Sequence, residues 1–305
     1  MKSENLALNR SIVKLRAVVP DDAFTAAILG TERIGNGIVV NSDGVILTVG
    51  YLITEATDVW LTVNSGPEVA GHALAYDQVT GFGLVLPLEK PDVVPLTLGS
   101  SAAIRPGDRA HVVTYPEFAK RHEVQILARR EFAGAWEYLL EDAIFTAPAH
   151  PHWSGAALLD ARGELVGVGS LLVRETLGDE ETSANMFVPT DLLKPILKDL
   201  IERGRASRPS RPWLGVYAVE VTGRVYVTGV AEGSPAQQAD VREGDVIAQV
   251  GMRNVSTLAG FYNSVWSLGT AGIAVPLTTI RGGTSLHVNL RSVDRTDLLK
   301  KPQAH

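Results

Sequence analysis

The chain has 305 residues and is 45% hydrophobic, enough to bury two substantial cores, and a single domain would be large for it. A net charge of −6 argues against non-specific nucleic-acid or anionic-membrane binding, which needs a basic face. With no cysteine, disulfides and thiolate metal sites are excluded, and the 29 glycines and 16 prolines are dispersed as in a turn-rich β architecture.

Residues 1–9 are polar and carry no basic n-region, no apolar h-region and no small-residue cleavage site. The expectation is a cytoplasmic protein, or a periplasmic one if the chain is a processed fragment. No apolar run approaches the roughly 20 residues of a membrane span, so no membrane partner is expected. From residue 11 to about 173, short apolar runs alternate with turn signals, which suggests a barrel or sandwich. Gly37-Ile-Val-Val40, Asn41-Ser-Asp-Gly44 and Val45-Ile-Leu47 read as a hairpin, with Gly44 supplying a positive-φ turn position. Residues 190–203 read as a closing helix, with Thr190 as N-cap and Leu192, Leu193, Ile196, Leu197, Leu200 and Ile201 on one stripe. Residues 205–212, rich in arginine and proline, read as a linker, either a solvated hinge or a surface for acidic partners. The domains expected are therefore 1–204, a linker at 205–212, a second domain over 213–294 and a tail over 295–305. In the second domain, strands flank Gly233-Ser-Pro-Ala236, and residues 258–268 read as an amphipathic helix.

Gly35-Asn-Gly-Ile-Val-Val-Asn-Ser-Asp-Gly-Val-Ile-Leu-Thr48, Trp153-Ser-Gly-Ala-Ala-Leu158 and Phe187-Val-Pro189 resemble the HtrA (Deg) family of trypsin-like serine proteases. Gly233-Ser-Pro-Ala236 and Val241-Arg-Glu-Gly-Asp-Val-Ile247 resemble the PDZ domain that follows such a protease. The resemblance implies a mainly β fold: a trypsin-like double β-barrel over 1–204, then an α+β PDZ domain. It also implies a catalytic serine, histidine and aspartate with an oxyanion loop. Carried over by position, the nucleophile is Ser154, but Tyr51 stands where histidine is expected and Gly81 where aspartate is expected. His152 replaces a loop glycine, which alters the oxyanion loop. The expectation is a catalytically inactive pseudoprotease, not an enzyme, acting as a scaffold, assembly factor or chaperone-like adaptor.

Two alternatives stand beside it. One is a serine endopeptidase using Ser154 in a rearranged site. The other is a metal-binding interaction protein: His150 and His152, two apart on an extended chain, face one side and imidazole suits zinc, copper or nickel. Two ligands without a nearby cysteine or carboxylate make a weak set, so no metal and no cofactor are expected. Trp153 is expected to pack into the cleft. The PDZ resemblance implies partners that are protein C-termini or extended peptides, with Trp213, Leu214, Gly215 and Val216 forming the carboxylate-receiving loop. Phe261, Val265 and Leu268 are candidates for the other wall of the groove, and Gly215→Val is expected to block ligand while sparing the fold. By family analogy the chain is expected to form a homo-oligomer, a trimer.

Overall fold

Alternation of apolar and polar residues sets the strands, and the first one illustrates it: in β1 (Ile12–Val18), Val13, Leu15 and Ala17 are buried while Lys14 and Arg16 are not. The computed structural model describes residues 10–63, 66–115, 121–177 and 180–301, so the polar stretch 1–9 and the end of the expected tail lie outside them. Among the described residues β1 joins β2 (Glu32–Val39), β3 (Ile46–Val49), β4 (Asp58–Thr62), β5 (Glu68–Tyr76) and β6 (Phe82–Pro87) in a closed barrel of order β1-β2-β3-β6-β5-β4. A second closed barrel follows from β7 (Arg109–Val113), β8 (His122–Gly134), β9 (Tyr138–Ala147), β10 (Ala157–Leu159), β11 (Leu165–Leu177) and β12 (Glu180–Pro189), in the order β10-β11-β12-β9-β8-β7. Closure removes the exposed strand edges that two open sheets would leave.

The hairpin expected at residues 37–47 is present, with Ile38 opposite Leu47 and Val39 opposite Ile46. Its turn is wider than a two-residue loop: Asn41 Oδ1 accepts the amides of Asp43 and Val45, and Gly44 takes φ +83°. After α1 (Ala26–Leu29), the expected helix over 190–203 is corrected. It divides into a 3₁₀ turn, Thr190–Leu192, and a short α2, Leu197–Arg203. Pro195 brings no N–H and disfavours helical torsions in the residue before it, so the stripe of leucines cannot run as one helix. Gly204, at φ +70°, ends α2 with its amide on the Leu200 carbonyl.

The chain divides into two compact units. The first holds both barrels, through Asp142–Ser207, and takes up the chain again at Leu299. There the Lys300 amide donates to Glu55 Oε1 and the Lys300 ammonium pairs with Asp22. The second unit is Arg208–Leu298 together with Glu131–Glu141, the tip of the β8–β9 hairpin. Among the described residues, the expected linker and the part of the expected tail up to residue 301 both make contacts. Ser207 donates its amide to Asp199, Ser210 accepts the Ala271 amide, Arg211 lies 4.0 Å over the Trp266 ring, and Arg295–Asp297 forms a 3₁₀ turn.

The second unit is built on a sheet of order β13-β14-β15-β17-β18: β13 (Val216–Val221), β14 (Arg224–Val230), β15 (Val246–Val250), β17 (Ala274–Arg281) and β18 (Thr284–Arg291), with β16 (Arg253–Asn254) paired to β15. Strand β13 is therefore at one edge. Helix α3 (Pro235–Gln238) is capped by Ser234, whose hydroxyl accepts the Gln237 amide, and α4 (Leu258–Trp266) by Thr257, which accepts the Gly260 amide. Helix α4 buries Leu258, Phe261, Tyr262 and Val265 against the sheet. It stops at Trp266, two residues short of the expected end. Leu268 therefore lies beyond the helix.

Candidate active site and peptide groove

Asn36, on β2, is fully buried and joins the two barrels. Its amide donates to the Ser154 carbonyl at 2.8 Å, and its side-chain nitrogen donates to the carbonyls of Ser154 (2.9 Å) and His152 (3.0 Å). Its side-chain oxygen accepts the Tyr115 amide at 2.8 Å. Buried backbone groups need partners, and this one side chain supplies them for the loop 152–154. Gly155 completes the arrangement at φ +72°, where a Cβ would lie 2.0 Å from the Asn36 carbonyl oxygen. The sequence reading missed Asn36. Its only signal was a polar residue between two glycines in a buried strand.

Ser154 Oγ and the Tyr51 hydroxyl are 2.7 Å apart, and the Tyr51 hydroxyl lies 2.8 Å from the Ser170 carbonyl. A carbonyl only accepts, so the phenol proton points to Ser170 and the Ser154 hydroxyl donates to Tyr51. Burial pushes the Tyr51 phenol up to about 12, against the hydrogen bond from Ser154. Arg33 braces the turn that carries Tyr51, donating to the carbonyls of Tyr51 (2.7 Å) and Thr54 (2.9 Å). Gly81, at φ +81°, meets the same turn with its backbone: its carbonyl accepts the Gly50 amide at 2.7 Å. Asp77 is turned to Thr80, accepting its amide and its hydroxyl.

His150 donates its amide to Asn185 at 2.6 Å and accepts the His152 amide on Nδ1 at 3.1 Å. Burial, then the neighbouring His122 and His152, push the His150 imidazole down to about 4. The His150 and His152 rings stand 6.0 Å apart, and no group of three metal-binding side chains is found among the described residues. The extended spacing expected of His150 and His152 is not met, because residues 151 and 152 form a turn. Trp153 is half-buried.

In the second unit the loop before β13 turns three successive amides onto one carboxylate. Gly215 donates to Glu137 Oε1 at 2.7 Å, Val216 to the same oxygen at 3.0 Å, and Leu214 lies 3.1 Å from both oxygens. Trp213 anchors the loop by paired backbone bonds with Val293. Gly215 is at φ +83°, and a Cβ there would lie 2.2 Å from Ser234 Cβ. Gly215→Val therefore cannot be the mild change expected from sequence. Phe261 and Val265 are buried in the core, whereas Leu268 is exposed and does not face it. Glu137 and Tyr262 are the groove residues the sequence reading missed. Burial pushes the Glu137 carboxyl up to about 7, opposed by the amides of Val216, Leu214 and Gly215 and by Arg295.

Residues 35–168 match the family described as a trypsin-like peptidase domain, and residues 212–291 match the PDZ domain family. The chain is 26% identical over 268 residues to a probable periplasmic serine endoprotease DegP-like of Chlamydia trachomatis, covering 83% of this chain and 52% of that protein. It is 23% identical to the periplasmic pH-dependent serine endoprotease DegQ of Escherichia coli, covering 85% and 59%. The chain thus spans about half the length of the curated relatives it matches. Among solved structures, an HtrA-type protease AlgW with tripeptide superimposes with a TM-score of 0.55 at 20% identity, covering 98% of this chain and 96% of that one. A serine endoprotease from Yersinia pestis gives 0.54 at 20% identity, covering 95% and 97%. The molecule is a trypsin-like peptidase domain followed by a PDZ domain. The relatives it matches are named as DegP-like and DegQ serine endoproteases, and the solved structures that share its fold include an HtrA-type protease.

This corrects the expectation that the chain is not an enzyme, since the relatives carry the names of serine endoproteases. The expectation rested on Tyr51, Gly81 and His152; the serine is kept, and its hydroxyl is hydrogen-bonded to that of Tyr51. The cytoplasmic expectation also finds no support, because relatives are named as periplasmic. Among the described residues no helix is long and apolar enough to cross a membrane.

The close approach at Gly155 sets a prediction. Gly155→Ala should destabilise the protein by about 2–4 kcal/mol, from positive-φ strain together with the clash against the Asn36 carbonyl. Urea unfolding measures it; an unchanged midpoint would mean that the barrel seam opens at no cost.

Proposed function

We propose that this chain is an HtrA-family protein that recognises extended peptides ending in a free carboxylate, through its PDZ unit. The observation that carries the reading is the convergence of the Leu214, Gly215 and Val216 amides, within 2.7–3.1 Å, on one carboxylate. Such a cluster of donors favours an anion, and β13 beside it is an edge strand to which a peptide backbone can be added. Names of the relatives place them in the periplasm, which favours a role for this chain outside the cytoplasm. Hydrogen bonds to a charged acceptor are worth about 1.5–3 kcal/mol each. Titrated into the full chain, a peptide with an apolar last residue should lose at least about tenfold in affinity when its terminus is amidated. Equal binding of free and amidated peptide would refute recognition of the terminus.

A second reading rests on the Tyr51–Ser154 hydrogen bond: Ser154 is the nucleophile of an endopeptidase whose proton acceptor is Tyr51. A phenol near 12 is ionised in roughly one molecule in 10⁵ at pH 7. Hydrolysis that uses it as base should therefore rise about tenfold for each pH unit between pH 7 and 10, and should vanish in Ser154→Ala. A rate that levels off near pH 7 would point to an imidazole base and exclude Tyr51 from that role.

A further inference from the structure

We propose that the hairpin tip Glu131–Glu141 is the resident ligand of the PDZ groove, with Glu137 standing where the terminal carboxylate of a bound peptide would stand. The inference rests on the peptide-binding reading above and says what a peptide must displace. Tip and groove belong to the same compact unit, and the tip meets the groove at each place where a bound strand would. At the edge strand, the Ala218 amide of β13 donates to the Ala135 carbonyl at 3.0 Å, a ladder bond added to the sheet. At the loop, all three amides of residues 214–216 are taken by Glu137.

The helix wall is engaged as well. The Tyr262 hydroxyl of α4 donates to the Gly134 carbonyl at 2.7 Å and accepts the Glu137 amide at 3.2 Å. Leu139 is buried in the apolar cluster that contains Leu214, Val216, Phe261 and Val265, so a side chain of the tip already occupies apolar space beside the loop. The Trp136 and Tyr138 rings stack 5.7 Å apart and stiffen the turn.

The turn geometry points the same way. Ala135, Trp136 and Glu137 connect β8 to β9, and Glu137, the last of the three, has φ +59°. A three-residue hairpin loop favours glycine at that left-handed position, and a glutamate held there is disfavoured unless its side chain is anchored. Here the anchor is the carboxylate, buried at 6% exposure. A peptide carboxylate cannot use the same amides while Glu137 holds them: the donors are already engaged, and a second anion alongside would be repelled. Peptide binding and hairpin docking are therefore mutually exclusive.

The test compares the full chain with Glu137→Gly, which removes the carboxylate and suits the turn. A fluorescent peptide with an apolar, free C-terminus should bind the variant at least tenfold more tightly than the wild type. Glu137→Gln, which keeps an acceptor without the charge, should fall between them. Equal affinities would overturn the internal-ligand proposal and leave the peptide-binding reading standing; no binding by any of the three proteins would defeat both. Hydrogen exchange in the unsubstituted chain gives the same decision if the variants misfold. Saturating peptide should speed exchange at the Glu137 amide and across residues 131–141, and unchanged protection with peptide bound would overturn the proposal.

Discussion

Three backbone amides that point inward at one place must be met by an acceptor, and a buried carboxylate must be met by donors. In the PDZ unit each requirement is satisfied by the other, at Glu137 and residues 214–216. Left unmet, either side would carry the desolvation cost of an unpaired polar group or, for the carboxylate, of an unpaired charge. The contact is also long-range, 78 residues between Glu137 and Gly215, so it fixes the tip of one hairpin to a domain built much later in the chain. The left-handed Glu137, the ladder bond to Ala218 and the placement of Leu139 in the core are all consistent with that single anchoring.

The barrel seam uses the same logic with the polarity reversed. There the loop that carries Ser154 presents carbonyls, and Asn36 supplies the donors. The tight fit of Gly155 against Asn36 leaves the loop little room to shift, and Ser154 is held where its hydroxyl reaches Tyr51. Tyr51 in turn is fixed by the Ser170 carbonyl and by Arg33, which grips the backbone of its turn. What the site does chemically then turns on the phenol, which burial holds in its neutral form across the physiological range.

Much of this was legible in the sequence. Gly35 to Thr48 and Trp153 to Leu158 pointed to the barrel and its serine loop through their resemblance to a trypsin-like protease family, while the turn at Asn41 to Gly44 could be read from its residues alone. The loop Trp213 to Val216 was expected from the resemblance to a PDZ domain, and Gly215 within it takes a positive φ. The division of the helix at Pro195 was readable from the proline alone, but the leucine stripe around it was the louder signal. Asn36 and Glu137 were not legible. Each acts across more than 75 residues, and neither sits in a pattern that distinguishes it from a surface polar residue. Glu137 in particular reads as an ordinary charged turn residue until the fold brings it to the amides. The non-enzyme expectation erred by a different route. It inferred the loss of an activity from residue types at Tyr51, Gly81 and His152, whereas activity is a property of the assembled site.

The shared titration of the groove tests the account most directly. In the native chain, the backbone amide resonances of Leu214, Gly215 and Val216 should shift together as pH is raised, tracking the Glu137 carboxyl with one midpoint near 7, well above the ordinary carboxylate range. The same three resonances should lose that transition in Glu137→Gln. Amides that titrate separately, or that show the same pH response in Glu137→Gln, would contradict a carboxylate held in the loop.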